Sequence, residues 1–217
     1  MVTLTQGPRA RFRLSAWTLL ACTSMLIGGC SMTENSHESH TAKGDDAIAL
    51  IDDMRAKGSY EDARQRLNAT AEVTAERIVA AVAGQTWQFN TDPHGQHIKE
   101  QGLPCEQLTG DIARRPMSDS IQFGRTFSDE EFATAHDIVR EEAAAYGATD
   151  ESSLFNEQDK RDVEIGGNGY EFTLGQIDVA TLNITGDCFL MQSVVDLPPG
   201  QLPPESPIVP TEPAPTS

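Results

Sequence analysis

Near residue 150 the apolar pattern of this 217-residue chain changes period, and that change sets the class of fold it can adopt. Upstream, apolar and small side chains recur three and four residues apart. In 45–57, Ala47, Leu50, Ile51 and Met54 fall on one helical face, which Gly58 ends. Ser59 then stands as an N-cap with Asp62 in the first turn. Tyr60, Ala63, Leu67, Ala71, Thr74, Ile78 and Ala81 continue as the stripe of a long helix closing near Gly84. A further helix opens on the Ser128/Glu131 capping box, with Asp129 and Glu130 at its positive end. Its buried stripe is Phe132, Ala135, Val139 and Tyr146, and Gly147 stops it.

Downstream the pattern alternates. Candidate strands cover 152–156, 162–165, 170–174, 177–184 and 188–195, and Gly166-Gly167-Asn168-Gly169 reads as a hairpin turn. Between the helices, Thr86–Asn90 reads as a strand, Asp92–Gly95 as a turn-rich segment, and Arg114-Arg115-Pro116 as a loop before a strand at Ile121 and Phe123. Trp87 reads as a core residue. Helices followed by successive short strands predict an α+β fold, two or three helices packed on one face of a largely antiparallel sheet, with one disulfide.

The N-terminus carries an address. Arg9, Arg11 and Arg13 precede a mostly apolar run from Leu14 to Ile27, too short to span ~30 Å of hydrocarbon comfortably. Gly28 and Gly29 then place small residues before Cys30, so Leu26-Ile27-Gly28-Gly29-Cys30 matches a bacterial lipobox. Residues 1–29 are expected to be a lipoprotein signal peptide and Cys30 the acylated first residue of the mature chain. Several acyl chains at ~0.8 kcal/mol per CH₂ anchor far better than one. Residues 30–44 are expected to be the lipidated end and a flexible tether of ~20 Å reach, 45–197 the globular domain, and 198–217 a Pro-rich disordered tail.

Loss of the leader removes three arginines from 16 basic against 33 acidic residues, leaving a net charge of about −20. Such a surface repels nucleic acid and anionic headgroups. The mature domain keeps Cys105 and Cys188, with 82 residues between them. Outside the cytoplasm an even pair reads as a disulfide; free thiols or metal ligands are the alternative. The pairs His37/His40 and His94/His97, the latter beside Asp92, fall short of the three or four ligands of a zinc site. No Gly-rich phosphate loop or GxSxG elbow occurs. No cofactor or metal is expected.

Several longer strings carry more than composition: KGSYEDARQRLNAT at 57–70, GQTWQFN at 84–90, GLPCEQLTGDIARRPM at 102–117, FGRTFSDEEF at 123–132, SSLFNEQDKRD at 152–162 and GDCFLMQSVVDLPPGQLPP at 186–204. Together they resemble the LppA-like lipoproteins of mycobacteria over nearly the whole mature chain. The resemblance implies a cell-envelope lipoprotein acylated at Cys30, and brings no catalytic residue, ligand or partner. The expected function is therefore a non-enzymatic binding or scaffold protein, lipid-anchored on the outer face of the plasma membrane. Two other classes stand beside it. One is an envelope hydrolase with His136 or His94 beside a nucleophile or carboxylate in a deep pocket. The other is a lipid carrier with an apolar cavity between helices and sheet.

Overall fold

The computed structural model describes residues 41–157 and 160–204. The leader, Cys30, the His37/His40 pair and residues 205–217 lie outside the described residues.

Helix α1 (Asp45–Met54) carries Asp45 and Asp46 in its first turn, where the helix dipole favours negative charge, and buries Ala47, Ile51 and Met54. A 3₁₀ turn over Arg55–Lys57 follows, and Gly58 ends it at φ 89°. Helix α2 (Tyr60–Ala81) begins on the Ser59 cap, whose hydroxyl accepts from the Asp62 N–H at 3.1 Å. Its stripe runs as the sequence predicts through Ile78. Ala81 is exposed and Val82, in an extended cap conformation, takes the buried place.

Strand β1 (Trp87–Phe89) pairs antiparallel with β4 (Ile121–Phe123). Between them the structure corrects the expected turn at Asp92–Gly95. Asp92 caps a helix, α3 (Pro93–Gln101), by accepting from the Gly95 N–H at 2.7 Å, with Pro93 at the first helical position. That is the place where a proline's missing N–H has no cost. The expected loop at Arg114-Arg115 is strand β3 (Ala113–Arg115), flanked by β2 (Leu103–Pro104) and β9 (Phe189–Leu190) in a small antiparallel sheet.

Helix α4 (Asp129–Ala145) carries the predicted capping box in both directions. After it come β5 (Asp150–Ser152), β6 (Arg161–Gly167), β7 (Tyr170–Gln176) and β8 (Ala180–Thr185). With β1 and β4 they form a six-stranded sheet of order β1-β4-β8-β7-β6-β5, antiparallel throughout. The β6–β7 hairpin turns on Asn168 (φ 50°) and Gly169 (φ 81°), the positive pair that a type I′ turn demands. The predicted strand over 188–195 splits: β9 ends at Leu190 and a short helix α5 (Gln192–Val195) follows.

Alternation along the strands makes the sheet two-faced. Val163, Ile165, Phe172, Leu174, Leu182 and Ile184 are buried, while Glu164, Glu171, Thr173, Thr181 and Asn183 on the opposite face are half-exposed. Helices α2 and α4 cover the apolar face and pack on one another through the small, fully buried Ala71, Ala75, Ala135 and Ala143. Arg77 of α2 pairs with Glu141 and Glu142 of α4 at the rim of this seam. The fold is α+β, as predicted, with helices on one face of the main sheet.

Two buried glutamines hold the loop leading into α4. Gln176 accepts from the Phe127 N–H at 2.6 Å and donates to its carbonyl at 3.1 Å. Gln85 accepts from the N–H groups of Thr86 and Arg125 and donates to the Arg125 carbonyl at 3.0 Å. Each side chain thereby satisfies backbone groups that burial would otherwise leave unpaired.

The Arg125 guanidinium and the Ser128 N–H together pull the Glu131 carboxyl from its usual 4.5 down to about 2. A depressed carboxyl stabilises the fold above its unfolded pKa, and the gain is lost as pH falls through the folded one. Glu131→Gln should therefore lower stability by at most about 1 kcal/mol at neutral pH, the scale of a water-exposed ion pair. The gap to wild type should close between pH 4.5 and about 2, as read by urea denaturation across that range.

Candidate binding groove and histidine cleft

The small sheet brings the two cysteines together. Cys105 directly follows β2 and Cys188 directly precedes β9, on either side of β3, and their Cα atoms are 5.9 Å apart in a disulfide. Both are half-buried and pack against a second core of Ala47, Ile51, Met54, Leu108, Ala113, Leu190 and Val194. The disulfide ties the segment after β2, remote in sequence, to β9 and thus to α1.

Beside the cystine lies a groove of about 560 Å³, within the size range of ligand sites. Its apolar part is Leu50, Met54, Pro104 and the cystine; Lys57, Arg115, Glu106 and Asp187 supply its charges. Lys57 Nζ donates to Asp187 Oδ2 at 2.6 Å, and Asp187 Oδ1 accepts from the Cys188 N–H at 2.7 Å. Arg115 donates from Nε to the Gly186 carbonyl at 3.0 Å and from Nη2 to the Gly169 carbonyl at 3.3 Å. Gly169 serves twice here: a Cβ on it would stand 2.7 Å from Asp187 Cγ, besides the strain of its positive φ. At the rim, the Ala42 N–H donates to the Gln107 carbonyl at 2.8 Å, so the described chain begins next to the groove.

A second cleft, of about 500 Å³, lies between the start of α4 and the β5–β6 region. His136 Nε2 lies 3.2 Å from Glu151 Oε2. Hydrogen bonding from Arg140, together with His136, holds the Glu151 carboxyl below the usual range. Two hydroxyls line this cleft, those of Ser152 and Ser153, and the Ser153 Oγ lies 3.0 Å from the Phe155 carbonyl and 3.3 Å from Asp162 Oδ1, the two acceptors sharing its one proton. Asp162 also accepts from the Leu154 and Phe155 N–H groups, and Asp129 pairs with Arg161. The charged groups of this cleft thus occupy one another.

His94 and His97 both lie on α3, where His97 Nε2 is 2.9 Å from Gln101 Nε2 and the Asp92 carboxylate is taken by the helix cap. Among the described residues no three metal-ligating side chains stand together. No described helix is long and apolar enough to cross a membrane. Trp87 is half-buried against the main core, edge-on to Phe89 at 5.3 Å. Lys57, Arg115 and Asp187 carry no signal in the sequence, because they meet only when the 3₁₀ turn, β3 and the approach to β9 come together.

The fold and its groove define the class as a disulfide-tied α+β domain with a main and a lesser antiparallel sheet. Residues 35–192 match the LppA family model, described as a lipoprotein confined to pathogenic Mycobacterium. The chain is 58% identical to LppB of Mycobacterium tuberculosis over 204 residues, covering 94% of this chain and 93% of that protein. It is 59% identical to LppA of the same species over 199 residues, covering 92% and 91%. The crystal structure of LppA from M. tuberculosis superposes with a TM-score of 0.72 at 63% identity, covering 73% of this chain and 94% of that one. The chain belongs to the LppA family of mycobacterial lipoproteins.

By the chain-entropy model, a crosslink over 83 positions stabilises by roughly 4–5 kcal/mol, an upper figure. Replacing both Cys105 and Cys188 with Ala should lower the urea midpoint accordingly. Alkylation of the unreduced wild type, read by intact mass, should leave both cysteines unmodified.

Proposed function

We propose that this protein is acylated at Cys30, held on the outer face of the plasma membrane, and acts there as a non-enzymatic binding or scaffold module through the groove beside the cystine. The observation that carries the reading is the Cys105–Cys188 disulfide: such bonds persist in oxidising compartments outside the cytoplasm. The lipobox supplies the means of reaching and staying at that face. The position of Ala42 beside Gln107 brings the groove close to where the anchoring segment joins the domain. The acidic chain argues against nucleic acid and against adsorption to anionic headgroups, so the acyl anchor is the membrane contact. Replacing Cys30 with Ala should shift the protein from the membrane to the soluble fraction of disrupted cells. Unchanged fractionation would reject the anchor.

A hydrolase at the second cleft is the reading favoured by one observation, the His136–Glu151 contact beside Ser153. The commitment of the Ser153 hydroxyl to Phe155 and Asp162 weighs against it. An activated ester offered to the wild type and to His136→Ala should be cleaved at the same background rate by both. A wild-type rate ten times the variant's would establish the hydrolase. The carrier with a cavity between helices and sheet finds little support, since Ile78, Val139, Phe172, Leu174 and Leu182 fill that interface with no exposed surface.

A further inference from the structure

The groove combines an apolar floor with two cations, Lys57 and Arg115, and two carboxylates, Glu106 and Asp187, on a chain of formal net charge −17. Half-buried Leu50, buried Met54 and the cystine offer a continuous apolar and polarisable surface. Arg115 spends Nε and Nη2 on the Gly186 and Gly169 carbonyls, which hold its plane in place, and among the described residues Nη1 has no hydrogen-bond partner. The Lys57 and Asp187 side chains are 45% and 32% exposed. A pair so open to water contributes little, so a second carboxylate can share Lys57 with Asp187 at little cost. Glu106 and Asp187 disfavour a head carrying more than one negative charge. The volume of about 560 Å³ lies within the range of small-ligand sites.

We infer that this groove binds a single-chain amphiphile with a monoanionic head, its chain lying on Leu50, Met54 and the cystine and its head held by Lys57 and Arg115. The inference rests on the reading of the groove as the binding site and gives that site a ligand class. Charge complementarity is local, because the chain as a whole repels an anion; head recognition must therefore overcome the long-range field.

The test uses the full chain carrying Cys30→Ser, which has no acyl group of its own, titrated with dodecanoate below its micelle-forming concentration. Calorimetry should show saturable one-to-one binding, with amide NMR shifts confined to residues 50–57, 104–108, 115 and 187–188. Dodecyl maltoside, with the same chain and an uncharged head, should bind at least tenfold more weakly. Lys57→Glu and Leu50→Glu should each weaken dodecanoate at least tenfold, while Val73→Ala on the exposed side of α2 leaves it unchanged. Absence of saturable dodecanoate binding, shifts centred elsewhere, or equal binding of the maltoside would overturn the inference. Should Leu50→Glu fail to fold by circular dichroism, Lys57→Glu and the head comparison still decide. Anchoring is measured separately by fractionation, so failure of the amphiphile leaves that reading standing, and failure of the anchor leaves this one.

Discussion

The apolar face of strands β6, β7 and β8 cannot stay in water, and covering it with α2 and α4 is the constraint on which the remaining structure depends. Ile165, Phe172, Leu174, Leu182 and Ile184 on the sheet meet Leu67, Ile78 and Val139 on the helices, each all but fully buried. At about 1.5–3 kcal/mol for each large side chain, this layer supplies the dominant favourable term. The alanines of the α2–α4 seam let two helices share one face of a sheet. Gln85 and Gln176 then stitch the incoming loop of α4 to that layer, with no buried side-chain polar atom among the described residues left unsatisfied.

The lesser sheet depends on other means. Strands of two and three residues have little pairing energy of their own. They persist here because α1, α5 and Leu108 enclose a second small core against them, and because the disulfide removes freedom from the unfolded chain. Parts of the chain far apart in sequence therefore meet at one place: the 3₁₀ turn, the segment after β2, the β6–β7 turn and the approach to β9. The groove is a by-product of that closure, and its charged residues are held by backbone carbonyls and by one another.

The two concave sites differ in how their polar groups are used. Around His136, carboxylates and cations pair off, and the hydroxyl of Ser153 bonds within its own loop. In the groove, the Lys57–Asp187 pair is open to water and Arg115 retains donor capacity above an apolar floor. The groove is thus locally balanced in charge and partly apolar on an otherwise acidic chain.

Much of the fold was legible from the sequence because its signals are local. Ser59 with Asp62, the Ser128/Glu131 box, the helical stripes and the Asn168-Gly169 turn each specify their own conformation within a few residues. The misread segments have physical reasons. Asp92-Pro93 is equally good chemistry for a turn and for a helix start, and only the continuation through Gln101 separates them. Strand β3 and the break between β9 and α5 lack a pattern of their own, since their conformation comes from partners on either side. The sequence by itself determined the fold class and the starts of α2 and α4. Only tertiary structure decided that Cys105 lies against Cys188, that Lys57, Arg115 and Asp187 share a groove, and that His136 faces Glu151, because these contacts join segments whose spacing in the chain carries no information about their distance in space.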